Sequence, residues 1–227
     1  MKKMKFKLLV MAMLCSILSI SAENEKKYSI EFNANYGFNS FTSLDDLDVQ
    51  FSSLVHPILV DNLENKYNGG GSFVFRIKKW GIMAAFQSYG LSTPAAANGL
   101  YYDGVVESSA IGVSYDVVSA KWFTLTPYLS FGTQNLDMYL DYKFEEGVTP
   151  TSLAIKANEP NINIGTLLYF RVGNWCEERL QFFINAEVAY KFSIEGEWRF
   201  DNMLIDSSDF NLSHLNTGVG LSLRYLF

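Results

Sequence analysis

The residues best suited to chemistry are the only two histidines of the chain, His56 and His214. His214 follows Ser213, and Asp206 and Asp209 lie a few residues earlier, so this region holds the three groups of a serine hydrolase. A serine nucleophile needs a base within hydrogen-bond reach and a carboxylate that orients this base. Adjacent residues of a strand point to opposite faces, so Ser213 and His214 suit each other poorly. Catalysis is therefore the weaker hypothesis here.

No metal-ligand spacing, phosphate-binding loop or nucleophile elbow appears in the sequence, and we expect no catalytic residue, metal or cofactor. The formal net charge is −6. Removal of residues 1–22, which hold four lysines and no acid, would shift it to −10. Such acidity argues against nucleic acid or anionic headgroups as general partners. Only Cys176 would remain, so no intramolecular disulfide is expected.

The N-terminal segment 1–22 has the layout of a secretory signal peptide. Lysines are followed by an apolar run from Leu8 to Ile20, which is shorter than the ~20 residues of a membrane-spanning helix. Ser21 and Ala22 are both suitable cleavage sites, and we predict a mature domain over residues 23–227. Since no later stretch reaches 18 consecutive apolar residues, a membrane-embedded mature chain would have to be a barrel.

Alternation of apolar and polar residues defines the elements of this domain. In the last segment, Leu215, Val219 and Leu221 fall on one face and Asn216, Gly218 and Ser222 on the other, a period typical of strands. Seven further segments alternate in the same way, near residues 28–38, 72–78, 80–86, 109–116, 123–131, 161–171 and 181–191. Eight strands form the smallest outer-membrane-type barrels. The predicted fold class is all-β, an eight-stranded antiparallel up-and-down transmembrane β-barrel.

The connections between these segments alternate between short and long. Lys78–Lys79, Val117–Ala120 and Gly173–Arg179 are short, whereas residues 42–66, 92–103, 145–157 and 197–213 are predicted to be long outer loops. Short turns on one side and long loops on the other are typical of outer-membrane barrels. Both ends of the barrel domain are therefore expected on the short-turn side.

Lipid on the outside is favoured over a soluble barrel with an apolar lumen by aromatic residues at the short-turn ends. Indole and phenol rings prefer the boundary between lipid and water. A soluble barrel has no reason to place them at one height. The predicted girdle consists of Tyr28, Trp80, Trp122 and Trp175, with Tyr225 and Phe227.

The polar faces of the strands carry balanced charges and several glycines, such as Gly165 and Gly218. An eight-stranded barrel has an interior only wide enough for side chains, and buried ions persist only when they are paired. We therefore predict an interior ionic network that plugs the barrel. Its members are Glu31, Arg76, Asp116, Arg171, Glu187 and Arg224.

Two features of the fifth segment do not fit a regular strand. Pro127 has no N–H to donate to a neighbouring strand. The alternating apolar residues have odd numbers as far as Phe131 and even numbers from Leu136 onward, which is a change of parity. A β-bulge near Gly132–Asn135 would explain the change of parity.

The closing pattern Val219, Leu221, Leu223, Tyr225 and Phe227 resembles the C-terminal signal of bacterial outer-membrane β-barrels. Together with the signal peptide and eight strands, the mature chain resembles the small OmpA/OmpX-type barrel families. This resemblance implies location in the bacterial outer membrane, contact with its lipid, and recognition by the barrel-assembly machinery. The peptidoglycan-binding domain of OmpA-like proteins is expected to be absent.

The function predicted from these features is a structural or interaction role through the outer loops. Loop 42–66 is unusually apolar and is expected to pack on its neighbours as a cap. The alternatives are that it enters the barrel mouth, forms a short amphipathic helix or contacts a partner. In region 136–157, residues Leu136–Phe144 and Ser152–Lys156 are expected to form a hairpin that rises beyond the bilayer and pairs with a partner strand. A narrow porin-like conduit and a membrane lipid hydrolase are the alternatives.

Overall fold

The computed structural model describes residues 28–41, 64–92, 100–142, 153–176, 179–200, 203–205 and 212–227. The predicted signal peptide, His56 and residues 42–63 of the apolar loop lie outside these ranges. Within them, no helix is long and apolar enough to cross a membrane. The strands are β1 (Tyr28–Phe41), β2 (Glu64–Ile77), β3 (Trp80–Ser92), β4 (Leu100–Tyr115), β5 (Val118–Ser119), β6 (Phe123–Tyr142), β7 (Leu153–Trp175), β8 (Leu180–Ser193), β9 (Glu197–Phe200), β10 (Met203–Ile205) and β11 (His214–Leu226).

Eight of these strands form a closed antiparallel barrel, as predicted. β1, β2, β3, β4, β6, β7, β8 and β11 each pair with the next, and β11 pairs again with β1. The short strand β5 lies against β6. β9 pairs with the outer end of β7 and with β10, so part of the predicted loop 197–213 is a hairpin that extends the wall.

The cross-strand partners define the shear of the barrel. Starting from Phe182 on β8, the row of partners passes through every strand and returns to β8 at Phe192, ten residues further along. A displacement of this kind requires strands that tilt by roughly 35–45° from the barrel axis. The row consists of Phe182, Leu223, Phe32, Phe73, Ala84, Ile111, Phe131, Ile162 and Phe192.

The apolar face of each strand points outward in the lower part of the barrel. On β1, Phe32 and Tyr36 are more than half exposed, whereas Glu31 is fully buried. On β8, exposed Ile184 and Val188 alternate with buried Asn185 and Glu187. The prediction of lipid outside and polar residues inside is confirmed, and the soluble-barrel alternative is wrong.

The predicted bulge in β6 is absent. The pairing with β7 runs without a register shift from Gly132 to Leu136, and the described bulge of the β7–β8 ladder lies between Arg171 and Gly173. Beyond Phe131 the outward residues are polar, and Leu136 and Met138 are buried inside. The parity changes because the strand leaves the bilayer: water now lies outside, so the apolar residues face inward.

Pro127 fits into β6 because it faces a break in the neighbouring ladder. The backbone N–H of Val117 donates to the carbonyl of Leu125. Because backbone groups alternate in direction along a strand, the N atom of Pro127 faces the same side. There the pairing with β4 ends at Tyr128, and β5 takes over at Leu125. The proline therefore removes no ladder hydrogen bond at this gap.

The short turns and both barrel ends share one rim. Ser29 of β1 pairs with Leu226 of β11, and the N–H of Phe227 donates to the carbonyl of Tyr28 over 3.0 Å. The other rim is taller than expected, because β2, β4 and β7 begin inside the predicted loops 42–66, 92–103 and 145–157. The predicted hairpin of the 136–157 region is confirmed, with Met138 opposite Ile155.

Candidate functional site: the barrel interior and the outer cap

Four of the predicted ionic residues form one cluster near the short-turn rim. Glu31 accepts hydrogen bonds from Arg224 Nε over 2.7 Å and from Arg76 Nε over 3.2 Å. Asp116 accepts one from Arg76 Nη1 over 2.8 Å, and Arg224 Nη1 lies 3.9 Å from its other oxygen. Two carboxylates thus neutralise two guanidinium groups where water is excluded, as buried ions require.

Neutral side chains complete this ionic cluster. The hydroxyl of Tyr169 donates to Glu31 over 2.5 Å, and that of Thr126 donates to Asp116 over 2.7 Å. The guanidinium carbon of Arg224 lies 5.4 Å from the centroid of the Tyr169 ring, within cation–π range. The cluster therefore spans the lumen, because its members come from β1, β2, β6, β7, β11 and the turn after β4.

The other two predicted network residues lie outside the ionic cluster. Glu187, higher on β8, accepts hydrogen bonds from Tyr128 and, over 2.9 Å, from Asn35. Arg171 Nη2 lies 3.4 Å from the side-chain oxygen of Gln181. Gly165 makes room for Tyr128, since a Cβ at Gly165 would lie only 2.6 Å from its ring.

Lys191 is an interior cation that the predicted network did not include. Its ammonium group donates to Gln87, Tyr89 and, over 3.2 Å, Ser108. Together with Glu187, it lines a cavity of about 30 Å³, room for one or two water molecules. Alternation places Lys191 on the polar face, but the three oxygen partners come from β3 and β4, which only barrel closure brings near β8.

Above this cavity, the interior becomes apolar. The buried residues here come from five strands and from the segment before β11, and none is more than 5% exposed. We call this set of buried apolar residues the outer cap. Its members are Leu91, Val106, Leu136, Met138, Ile155, Ala157, Trp198 and Leu212.

One buried carboxylate joins the elements of the outer cap. Glu159 of β7 accepts a hydrogen bond from the Trp198 indole over 2.7 Å and another from the N–H of Leu212 over 2.9 Å. The carbonyl of Leu212 accepts from Gln134 over 3.4 Å. Glu159 thus fixes β9 and residue 212 to β7. Sequence reasoning missed it because it falls between the predicted loop and the predicted strand.

The hydrolase hypothesis finds no support in the positions of its residues. His214 is the first residue of β11 rather than part of an outer loop, and it is fully buried. Its Nδ1 donates to the Leu212 carbonyl over 2.9 Å, and its ring lies 5.2 Å from that of Tyr89. Ser213 Oγ accepts from the Ser193 N–H over 2.9 Å. Asp206 and Asp209 lie outside the described residues, among which no cluster of His, Cys, Asp or Glu suited to a metal is found.

The predicted girdle residues are all exposed, and they lie near the short-turn rim. Tyr28, Trp80, Trp122 and Trp175 expose between 46% and 67% of their surface, and the rings of Trp80 and Tyr115 are 4.8 Å apart. The closing strand presents its column outward, with Val219, Leu221, Tyr225 and Phe227 exposed and Leu223 half-buried. Cys176 is a free, exposed thiol in a rim turn.

Comparison with solved structures agrees with this architecture. A major outer membrane protein from Thermus thermophilus matches with a TM-score of 0.53 and 10% identity, over 87% of this chain and 99% of that chain. The attachment invasion locus protein Ail of Yersinia pestis matches with a TM-score of 0.44 and 14% identity, over 89% of this chain and 100% of that chain. The outer membrane protease OmpT from Escherichia coli matches with a TM-score of 0.46 and 8% identity, over 91% of this chain and 99% of that chain.

Neither the family models nor the curated proteins gave a match. At these identities, the structural matches show the fold, which is that of the outer-membrane β-barrel proteins of Gram-negative bacteria. The chain is therefore an outer-membrane β-barrel whose exterior contacts lipid. The fold alone leaves the specific role open.

Proposed function

We propose that this outer-membrane β-barrel is a non-conducting, non-enzymatic protein that presents a rigid outer wall to a partner at the cell surface. The observation that carries the proposal is the change of polarity in β6, where the wall continues beyond the bilayer around a core of its own. An outer wall built in this way can hold a binding surface in fixed geometry.

The filling of the lumen supports a non-conducting barrel. The ionic cluster spans the lower part, and the outer cap fills the upper part with buried apolar side chains. Between them lies the cavity of about 30 Å³. Among the described residues, these buried layers support a filled lumen over the porin-like conduit.

The outer wall is a continuous sheet of β4, β6, β7, β9 and β10. Its outward face carries the exposed polar residues Asn135, Asp137, Lys156 and Arg199 together with exposed Tyr139 and Leu204. Ion pairs order this face: Lys156 lies 3.1 Å from Asp137, and Arg199 lies 3.2 Å from Glu197. We propose that a partner binds these side chains.

The described part of the 136–157 hairpin gives limited support to edge pairing, which the sequence suggested. β4 covers β6 as far as Tyr142, and β9 covers β7 from Ile155 to Asn158. Both edges of the hairpin are therefore occupied along these described residues. At the outer rim, β10 ends the sheet order and Leu204 is 70% exposed, so we propose β10 as the edge available for strand addition.

For insertion, we propose the barrel-assembly machinery as a second partner, through the outward column of Val219, Leu221, Leu223, Tyr225 and Phe227. This column is presented on the closing strand and ends where Phe227 is bonded to β1. Replacement of Phe227 with Ser should slow assembly in cells while leaving refolding of the purified chain nearly unchanged. Equal slowing in both settings would contradict recognition.

Planar-bilayer recording and partner labelling together test the proposed role. The purified barrel should show no unitary current, and a steady ohmic conductance would overturn the non-conducting assignment. Proximity labelling in native outer membranes should lose its surface partner in the variant Asn135→Ala, Lys156→Ala, Arg199→Ala. The matched control Lys121→Ala, at an exposed lysine near the opposite rim, should retain it. Unchanged labelling in the triple variant would overturn the interaction role.

A further inference from the structure

The outward apolar column is much longer on one wall of the barrel than on the opposite wall. On β8 every outward residue is apolar or aromatic from Phe182 to Ile194, and Phe192 and Ile194 are 45% and 48% exposed. On β3 the column ends at Phe86 and is followed by Ser88. On β4 it ends at Ile111, beyond which Ser109 and Glu107 are exposed.

The columns can be compared because their lower ends are level. A row of cross-strand partners climbs ten residues in one circuit of eight strands, which is about 1.25 residues per strand. After correction for this climb, Trp80, Phe123 and Tyr225 lie within about one residue of the height of Phe182. The lower ends of these columns are therefore level.

The upper ends of the columns are not level. A strand tilted by about 40° gains roughly 2.5 Å of height per residue. The apolar column then stands roughly 30 Å tall on β8 and roughly 15–20 Å on β3, β4 and β6. On the neighbours of β8, the last outward apolar residues, Ile162 and Leu215, lie roughly 20–25 Å above the lower end, and each column also contains one outward threonine, Thr166 or Thr217. Among these strands the height decreases away from β8, and β8 and β3 lie four strands apart in the closed order.

The height of the apolar column matches the hydrocarbon thickness of a flat bilayer on neither wall. The apolar band of such barrels is about 25 Å tall, so a flat band would place Ser88 and Ser109 in hydrocarbon and expose Ile194 to water. Ser109 also lies beside the outward Thr133, with their hydroxyl oxygens 3.5 Å apart. Polar side chains thus form a continuous low patch on the β3–β4–β6 wall.

A rigid tilt of the barrel does not resolve this mismatch, because both walls are fixed at the lower rim. The Lys78–Lys79 turn lies directly below Trp80, and Arg179 lies directly below the start of β8. Charged residues at the interface resist entry into hydrocarbon. Tilting the barrel would draw one of these charged groups into the hydrocarbon. The difference in hydrocarbon height between the two walls must therefore lie in the outer leaflet.

We propose that the barrel deforms the outer leaflet of its membrane, thinning it against the β3–β4–β6 wall and thickening it against β8. The partner of the low patch is the lipid headgroup region, which descends to Ser88, Ser109 and Thr133. Hydroxyls are neutral donors and acceptors, so the patch suits headgroup oxygens and interfacial water. This inference is independent of the proposed surface partner.

Spin labels at matched heights on opposite walls test whether the upper boundary of the hydrocarbon differs in height around the barrel. In a background with Cys15 and Cys176 replaced by Ser, labels are placed at Ser109→Cys and Tyr190→Cys, which have equal height on opposite walls. In phosphatidylcholine vesicles, the ratio of oxygen to nickel-chelate accessibility should be severalfold higher at position 190. Equal ratios would overturn the proposal. Labels at Ile82→Cys and Ile184→Cys should give similar ratios, and a difference there in the same sense would indicate rigid tilt instead.

A second set of variants removes the low patch. Ser109→Leu combined with Thr133→Leu should move a label at Ser88→Cys from interfacial to hydrocarbon accessibility, because the short wall becomes taller. The matched control Thr217→Leu adds a leucine to the wall beside β8 and should leave this label unchanged. An unchanged Ser88→Cys label in the double variant, with the barrel folded, would also overturn the proposal.

Discussion

The lower and upper parts of the barrel share one ladder and have opposite polarity. Strand β6 passes through both parts: below Phe131 its buried residues include Thr126 and Ser130, and above it they include Leu136 and Met138. The pairing with β7 continues through this boundary without a shift. The comparison shows that the medium outside the wall, rather than the backbone, decides which face of a strand is apolar.

Each part also buries a carboxylate, and the two carboxylates have different kinds of hydrogen-bond donors. Glu31 in the lower part meets two guanidinium groups and the Tyr169 hydroxyl. Glu159 in the outer cap receives the neutral N–H groups of Trp198 and Leu212. The carboxylate of the lower part therefore depends on charge pairing, and that of the outer cap depends on hydrogen bonds from neutral groups.

The largest effect is expected in the lower part. Glu31→Ala leaves Arg76 and Arg224 without their shared carboxylate, and breaking a buried ion pair in this way costs about 3–5 kcal/mol. The urea midpoint of the barrel in lipid vesicles should fall accordingly. If the midpoint stays at the wild-type value, the ionic cluster does not stabilise the lower part.

The upper part should respond to loss of apolar volume. Leu136→Ala removes a buried side chain from the outer cap, for which about 2–4 kcal/mol is expected. Leu129→Ala on the same strand changes a lipid-facing residue, where lipid fills the space, and should cost clearly less. Equal losses in urea unfolding would mean that the cap is not a water-excluded core.

A smaller change should follow from Glu159→Gln. The amide has one carbonyl oxygen where the carboxylate had two, so either Trp198 or Leu212 loses its acceptor, at about 1–3 kcal/mol. Protease sensitivity near residue 212 should rise while the lower barrel stays folded. Glu197→Gln on the exposed face is the matched control, and equal sensitivity in both variants would contradict the role of Glu159.

The smallest effect is expected on the outer face. The hydrogen bond to Asp137 raises the pKa of Lys156 above its usual value, so any stabilisation by this pair is present at lower pH and lost as the pH rises through the raised pKa. Both side chains are about half exposed, and exposed pairs contribute little. Asp137→Asn should leave the urea midpoint unchanged from pH 6 to 8, whereas a resolved shift would show that the outer face is less exposed to water than described.

Much of the fold could be predicted because alternation is visible in the sequence. Parity placed Phe32 outside and Glu31 inside, and both positions are confirmed. The bulge expected in β6 was wrong because parity was interpreted as if the wall stayed in lipid over its full length. Lys191 and Glu159 could not be recognised as central, since their partners come from other strands and depend on register.

By itself, the sequence determined the strand periodicity, the closed eight-stranded barrel and the lipid-facing columns, because these follow from residues two apart along one chain. Only the tertiary structure decided that Glu31 meets Arg224 directly across the β1–β11 ladder while Glu187 lies higher, beside the cavity with Lys191. The reason is the ten-residue shear. It sets the relative height of every strand, and no single segment encodes it.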